Sequence, residues 1–193
     1  MEAIRAYLDE VSRLVAELPA ERIERIVERL IAAYDDGKQL LLLGNGGSAS
    51  TASHLMNDFQ KCIYLTGGKP FRALALTDSV SLLTAWANDT AYENVFAEQV
   101  RTWAARGDIL IAISGSGNSP NVLQAVRTAR ECGAWTLGLT GFQGGKLKAL
   151  VDECLVVPCD NMQRIEDVHM VIGHLLFWRM MGRLDERKSG TGA

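Results

Sequence analysis

Two stretches of small residues and three histidines carry most of the chemistry available to this sequence. Gly44-Asn45-Gly46-Gly47-Ser48 leaves an apolar run and enters a helical one. Its glycines let backbone approach an anion closely, and the helix behind them points free N–H groups and its positive dipole end at that anion. The second stretch, Ser114-Gly115-Ser116-Gly117-Asn118-Ser119-Pro120, spaces three hydroxyls with glycines and ends on a proline suited to a first helical turn. Hydroxyls and backbone amides suit a phosphate monoester with no lysine required. Ser119 could simply cap the helix at Pro120, but that leaves Ser114, Ser116 and two glycines without a role.

The first stretch has competing readings. No Gly-Lys-Ser/Thr follows it, so it is not a nucleotide triphosphate loop of the Walker type. Gly44, Gly46 and Ala49 match G-x-G-x-x-A, the dinucleotide fingerprint. That site needs an acid at the end of the second strand, and none occurs between Lys61 and Thr77; Asp78 comes too late. A plain tight turn is the remaining alternative.

Of the histidines, His54 has Asp58 four residues later on the same helical face. His174 has Glu166 eight residues before it, about 80° out of phase, and Asp167 seven before it and better aligned. Spacing alone therefore selects Asp167 as its partner. Each residue also has a plain reading, His54 and Asp58 as an exposed pair and His174 as a partly buried ring. A histidine beside a carboxylate is the usual pair for moving a proton.

The elements that must position these groups are legible as a strict alternation. Two helical runs come first, from Ala3 to about Tyr34, separated by Pro19, and they read as an arm preceding the repeat. Short apolar strands are predicted at Gln39–Leu43, Arg72–Leu76, Ile109–Ile113, Trp135–Leu139 and Glu153–Val157. Helices are predicted at about Ser48–Lys61, Val80–Ala87, Tyr92–Ala104, Pro120–Glu131 and Arg164–Leu184. Apolar strands alternating with helices predict an α/β three-layer sandwich with a parallel sheet covered on both faces. Five strands point to the flavodoxin-like order 2-1-3-4-5, whose crevice opens beyond the ends of strands one and three, where the two glycine-serine loops lie.

Composition bounds the rest. The chain has 193 residues, 48% hydrophobic and 22% charged, which fits one globular domain, read as residues 1–187 with an arm to about residue 35. Residues 188–193 read as a loose tail. A net charge of −3 argues against a nucleic-acid binder, and apolar runs such as Leu40–Leu43 are far too short to span a membrane. Cys62, Cys132, Cys154 and Cys159 show no CxxC spacing and read as reduced thiols of a cytoplasmic protein with no signal peptide.

Three segments in order, Gly44–Ser48, Ile113–Asn121 and Gly138–Leu147, resemble the sugar isomerase (SIS) domain family, in its phosphoheptose isomerase branch. The likeness spans roughly residues 20 to 180. It implies a homotetramer that interconverts sedoheptulose 7-phosphate and D-glycero-D-manno-heptose 7-phosphate through an enediolate. By the same resemblance, Ser48, Ser114, Ser116 and Ser119, with Gly46 and Gly47, hold the phosphate, and Asn45 and Asp89 lie near the sugar.

The family's two histidines, glutamate and glutamine around a zinc ion fall on His54, His174, Asp58 and Glu166, so this chain carries Asp for Glu and Glu for Gln. The resemblance makes all four metal ligands, makes Glu166 a substrate contact as well, and gives proton transfer to Asp58 and His174. The first change shortens a side chain by roughly 1.5 Å. The second adds a negative charge, and two carboxylates would balance a divalent cation. The family also contains non-catalytic sugar-phosphate sensors and a partner of the bacterial replication initiator, which is the alternative function. His169 falls outside the pattern and reads as structural.

Overall fold

A computed structural model describes residues 1–65 and 67–190. Five parallel strands form its centre: β1 (Gln39–Gly44), β2 (Arg72–Ala75), β3 (Ile109–Ser114), β4 (Trp135–Gly141) and β5 (Glu153–Val157). They lie in the order β2-β1-β3-β4-β5, the order read from the sequence. The register pairs Leu40 with Ala73 on one side and with Ile109 on the other.

Side chains alternate across each strand, so every apolar run feeds two cores. Leu40, Leu42, Ile109, Ile111 and Ile113 enter one core, whereas Leu41, Leu43, Leu110 and Ala112 enter the other. All four leucines of β1 are fully buried, each stabilising the fold by roughly 1.5–3 kcal/mol as an upper estimate.

The first core is covered by helices α1 (Glu2–Ala16), α2 (Ala20–Asp35), α3 (Gly47–Asn57) and α8 (Met162–Gly190). A π-helical turn, Asp58–Cys62, carries α3 into the short α4 (Ile63–Leu65). Over the second core lie α5 (Val80–Asp89), α6 (Ala97–Trp103) and α7 (Pro120–Glu131).

The N-terminal arm divides into two different halves. α2 buries Ile23, Ile26, Val27, Leu30 and Ile31 in the first core, because its i, i+3, i+4 stripe lies beside α8. α1 buries only Leu14 and leaves Ile4 and Leu8 exposed. The last helix runs past the expected end at Leu184 to Gly190, so residues 188–190 are its final turn rather than tail. Residues 191–193 of the expected tail lie outside the described residues.

His169, on α8, is fully buried and its Nε2 meets the Thr140 carbonyl at 3.0 Å. Nε2 must donate there, which leaves Nδ1 as an acceptor, and Nδ1 has no partner among the described residues. Burial pushes this ring down from 6.5 to about 4, the hydrogen bond opposing it. The folded state thus refuses a proton that the unfolded state takes up. Stability should be flat above about pH 6.5 and fall between there and about pH 4, by on the order of 3 kcal/mol from this group. His169→Gln keeps a donor for Thr140 and does not titrate. Its urea midpoint should drop less than the wild type's between pH 7 and pH 4.5, and equal drops would contradict the assignment.

Candidate functional site

The two glycine-serine loops meet where the chain order reverses, beyond β1 and β3. Asn45, Gly46, Gly47 and Ser48 from the first, and Ser114, Gly115, Ser116 and Ser119 from the second, line a cleft of about 260 Å3 with Met162 and Glu166 of α8. Ser48 and Ser114 are buried, and the Ser114 and Ser119 hydroxyls are 3.3 Å apart. Ser119 makes no capping bond to α7, so its hydroxyl is not spent on the helix end. No lysine or arginine lines the cleft; its anion chemistry consists of hydroxyls and the N-termini of α3 and α7.

The third glycine-bearing segment acts from behind. Leu147 N donates to the Gly117 carbonyl at 2.9 Å, and Lys146 N donates to Asn118 Oδ1 at 3.1 Å. Gly117 has φ +64° and packs directly on the backbone of Gly144 and Gly145. The segment after β4 therefore buttresses the serine loop.

A second group forms at the other end of α3. His54 Nε2 and His174 Nε2 are 2.9 Å apart, and Asp58 Oδ2 lies 3.4 Å from the first and 3.8 Å from the second. What lets α8 approach α3 so closely is Gly173: a Cβ there would collide with Leu55, the neighbour of His54. The three ligand atoms lie within 4.8 Å of one another. Tetrahedral zinc with bonds near 2.0–2.1 Å holds its ligand atoms roughly 3.3 Å apart, so this group fits a divalent ion with small adjustments. Asp58 is mostly buried while both rings are about half exposed, leaving room for an outside ligand.

Two expected members stand elsewhere. Glu166 is not part of the His54–Asp58–His174 group. A little over two turns of α8 separate it from His174, and its carboxylate instead rests on Gly47, where a Cβ would meet Oε2 at 2.5 Å. Asp89 ends α5, exposed, accepts from Asn88 Nδ2 at 2.8 Å and does not line the cleft. Asp167, favoured by spacing as the partner of His174, accepts from the Tyr7 hydroxyl of α1 at 2.6 Å. This bond, more than any other factor, holds the Tyr7 hydroxyl above its ordinary value.

Two residues given no role from sequence enter the site. Tyr92, in the connection after α5, donates to Asn45 Oδ1 at 3.0 Å, and buried Asn121 exchanges two hydrogen bonds with the Asn45 amide. Asn121 was detectable as a polar residue on the same helical face as Ala125 and Ala129, both buried. Nothing in the spacing of Tyr92 marks it.

The model of the SIS domain family matches residues 6–141, well over half of the chain. The chain belongs to the SIS domain family. Among curated members, the phosphoheptose isomerase of Roseiflexus sp. is 43% identical over 177 residues, covering 91% of this chain and 88% of that protein. The phosphoheptose isomerase of Aneurinibacillus thermoaerophilus is 42% identical over 155 residues, 80% and 77% of the two chains. Among solved structures, phosphoheptose isomerase from Neisseria gonorrhoeae superposes with a TM-score of 0.85 at 34% identity, covering 93% of this chain and 97% of that one.

Within this SIS domain, Glu166 is the one charged residue among those lining the serine-loop cleft. A like charge there works against an anion by roughly 1–2 kcal/mol at an effective dielectric near 20–40. Glu166→Gln should therefore tighten inorganic phosphate binding about five- to thirtyfold in calorimetry. Unchanged or weaker binding would mean that the carboxylate does not face the anion.

Proposed function

We propose that this chain is a phosphosugar isomerase that interconverts sedoheptulose 7-phosphate and D-glycero-D-manno-heptose 7-phosphate. The observation that carries this reading is the design of α3. Its first turn, Gly47–Ser48, borders the serine-loop cleft, and its last turn presents His54. Gly47 and His54 are seven residues apart, on one face and about 10 Å along the axis. A seven-carbon chain with a terminal phosphate spans roughly the same length, from C–C bonds of about 1.5 Å. One rigid helix thus sets the anion seat and the His/Asp/His group at the two ends of the substrate. The curated relatives bear the same activity in their names.

In the forward direction a proton leaves C1 of the ketose and its electrons form the C1–C2 double bond of an enediolate, with O2 taking a proton. Return of a proton to C2 and loss of one from O1 complete the aldose. Asp58 and His174 are the groups that move these protons, since a carboxylate accepts and an imidazole both accepts and donates. His54, Asp58 and His174 would hold a divalent ion such as zinc, which would supply Lewis-acid polarisation of the sugar oxygens. The serines and backbone amides hold the unreactive end, so remote binding positions the reacting carbons.

We also infer a single domain, its last helix running to Gly190, assembled as a homotetramer. Ile4 and Leu8 of α1 and Trp178 of α8, 69% exposed, leave an apolar surface that further copies would cover. Free cysteines support a cytoplasmic enzyme, and no described helix is long and apolar enough to cross a membrane. Turnover of sedoheptulose 7-phosphate, but not of unphosphorylated sedoheptulose, with a tetrameric mass in sedimentation at micromolar concentration, is the expected result. Tight binding of sugar phosphate without turnover would favour a sensor instead, and a monomeric mass would remove the assembly.

A further inference from the structure

Asn121 is 1% exposed, at the first turn of α7, and its bonding is fully determined by a backbone group. Val122 N–H, which can only donate, reaches Asn121 Oδ1 at 3.0 Å. That contact identifies the oxygen of the Asn121 amide, so the other terminal atom is Nδ2. Asn121 Nδ2 then donates to Asn45 Oδ1 at 2.8 Å, while Asn121 Oδ1 accepts from Asn45 Nδ2 at 3.0 Å. The Tyr92 hydroxyl supplies a second donor to Asn45 Oδ1, at 3.0 Å.

Asn45 has two amide hydrogens and two oxygen lone pairs to satisfy. Both lone pairs and one hydrogen are taken by Asn121 and Tyr92. Among the described residues one N–H remains without a partner, on a side chain that lines the cleft. Were the Asn45 amide reversed, its NH2 would face the Asn121 NH2 and its oxygen the Asn121 Oδ1. The orientation is thereby passed from the backbone of α7, through Asn121, to the wall of the cleft.

We propose that Asn121 is a positioning residue that fixes Asn45 with one N–H toward an acceptor oxygen of the bound sugar phosphate. The proposal rests on the reading of the cleft as a phosphosugar site. It also ties the two anion loops together, since Asn45 follows β1 and Asn121 follows β3.

The test is a double-mutant cycle on KM and kcat with sedoheptulose 7-phosphate. Asn121→Asp keeps shape and the acceptor for Val122 but puts an oxygen against Asn45 Oδ1. It should raise KM about tenfold with kcat changed less than about threefold, the mark of lost uniform binding. In an Asn45→Ala background the same change should raise KM several times less, keeping only the repulsion of its new charge on the anion, because the amide it orients is gone. Tyr92→Phe, at an exposed ring, should raise KM severalfold with an unchanged thermal midpoint. An equal rise from Asn121→Asp in both backgrounds, or no effect of Tyr92→Phe, would make Asn121 merely structural and overturn the proposal. If the wild type binds but does not turn over, the cycle is read on dissociation constants by calorimetry. The isomerase reading then fails while the positioning of Asn45 is judged by the same coupling.

Discussion

Asp58→Asn should lower kcat by roughly 10²–10⁴-fold and abolish high-affinity divalent metal binding, with the fold intact. Asparagine preserves size and shape but offers a neutral oxygen, which neither takes a proton nor balances a cation. Asp58 Oδ2 lies 3.4 and 3.8 Å from the two histidine nitrogens, so the change acts on all three members at once. Asp58→Glu, which restores the family residue, should also lower activity. The shorter aspartate already reaches both rings, and the turn that begins at Asp58 is π-helical, wider than an α turn. A carboxylate extended by roughly 1.5 Å overshoots that position, and a misplacement of about 1 Å can cost about a hundredfold. Steady-state kinetics at saturating zinc, paired with metal titration, decide it. A glutamate variant faster than wild type would show that Asp58 is simply too short, and an active asparagine variant would remove Asp58 from the chemistry.

Gly117→Ala should lower kcat/KM about a hundredfold, together with inorganic phosphate affinity, while leaving metal affinity at the far end of α3 unchanged. Two effects combine at this position. The backbone has φ +64°, where a Cβ is strained, and that Cβ would land on the carbonyl oxygen of Gly144, which cannot move as a side chain can. The serine loop must then lift off its buttress, breaking the Leu147–Gly117 bond. Gly37→Ala separates the two effects. Gly37 has φ +66° but nothing within 4 Å of a Cβ, so it shares the strain without the collision. It should cost stability by about 1 kcal/mol and leave kinetics untouched. If the two variants behave alike, the segment after β4 does not support the phosphate site.

The sheet was legible because each buried parallel strand is a short apolar run, and such runs have few other fates. The order of strands and the place of the cleft followed from alternation alone. Helix periodicity fixed the phase of His54 and Asp58, which one helix carries, and the structure has them adjacent. It failed for α8, where phase chose Asp167. Phase says which residues share a face, not which neighbour that face meets, and Asp167 faces Tyr7 of α1. The same limit applies to Glu166, whose side chain crosses to Gly47 because that glycine leaves room for it. Asp89 and Tyr92 lie three residues apart in one connection, and only the folded loop shows that Tyr92 is the one reaching Asn45. Gly138–Leu147 carried resemblance without a mechanism until Gly117 was seen resting on Gly144 and Gly145.

The proposed reaction is a proton shift on a phosphorylated ketose, carried out by the His54–Asp58–His174 group at the far end of α3 from the phosphate seat. Its most direct measurement is incubation of the zinc-supplemented protein with sedoheptulose 7-phosphate in D2O, followed by NMR. The expected product is an aldose heptose 7-phosphate carrying deuterium at C2, with the label lost when Asp58 is replaced by asparagine. Sedoheptulose 7-phosphate recovered unchanged and unlabelled would contradict it.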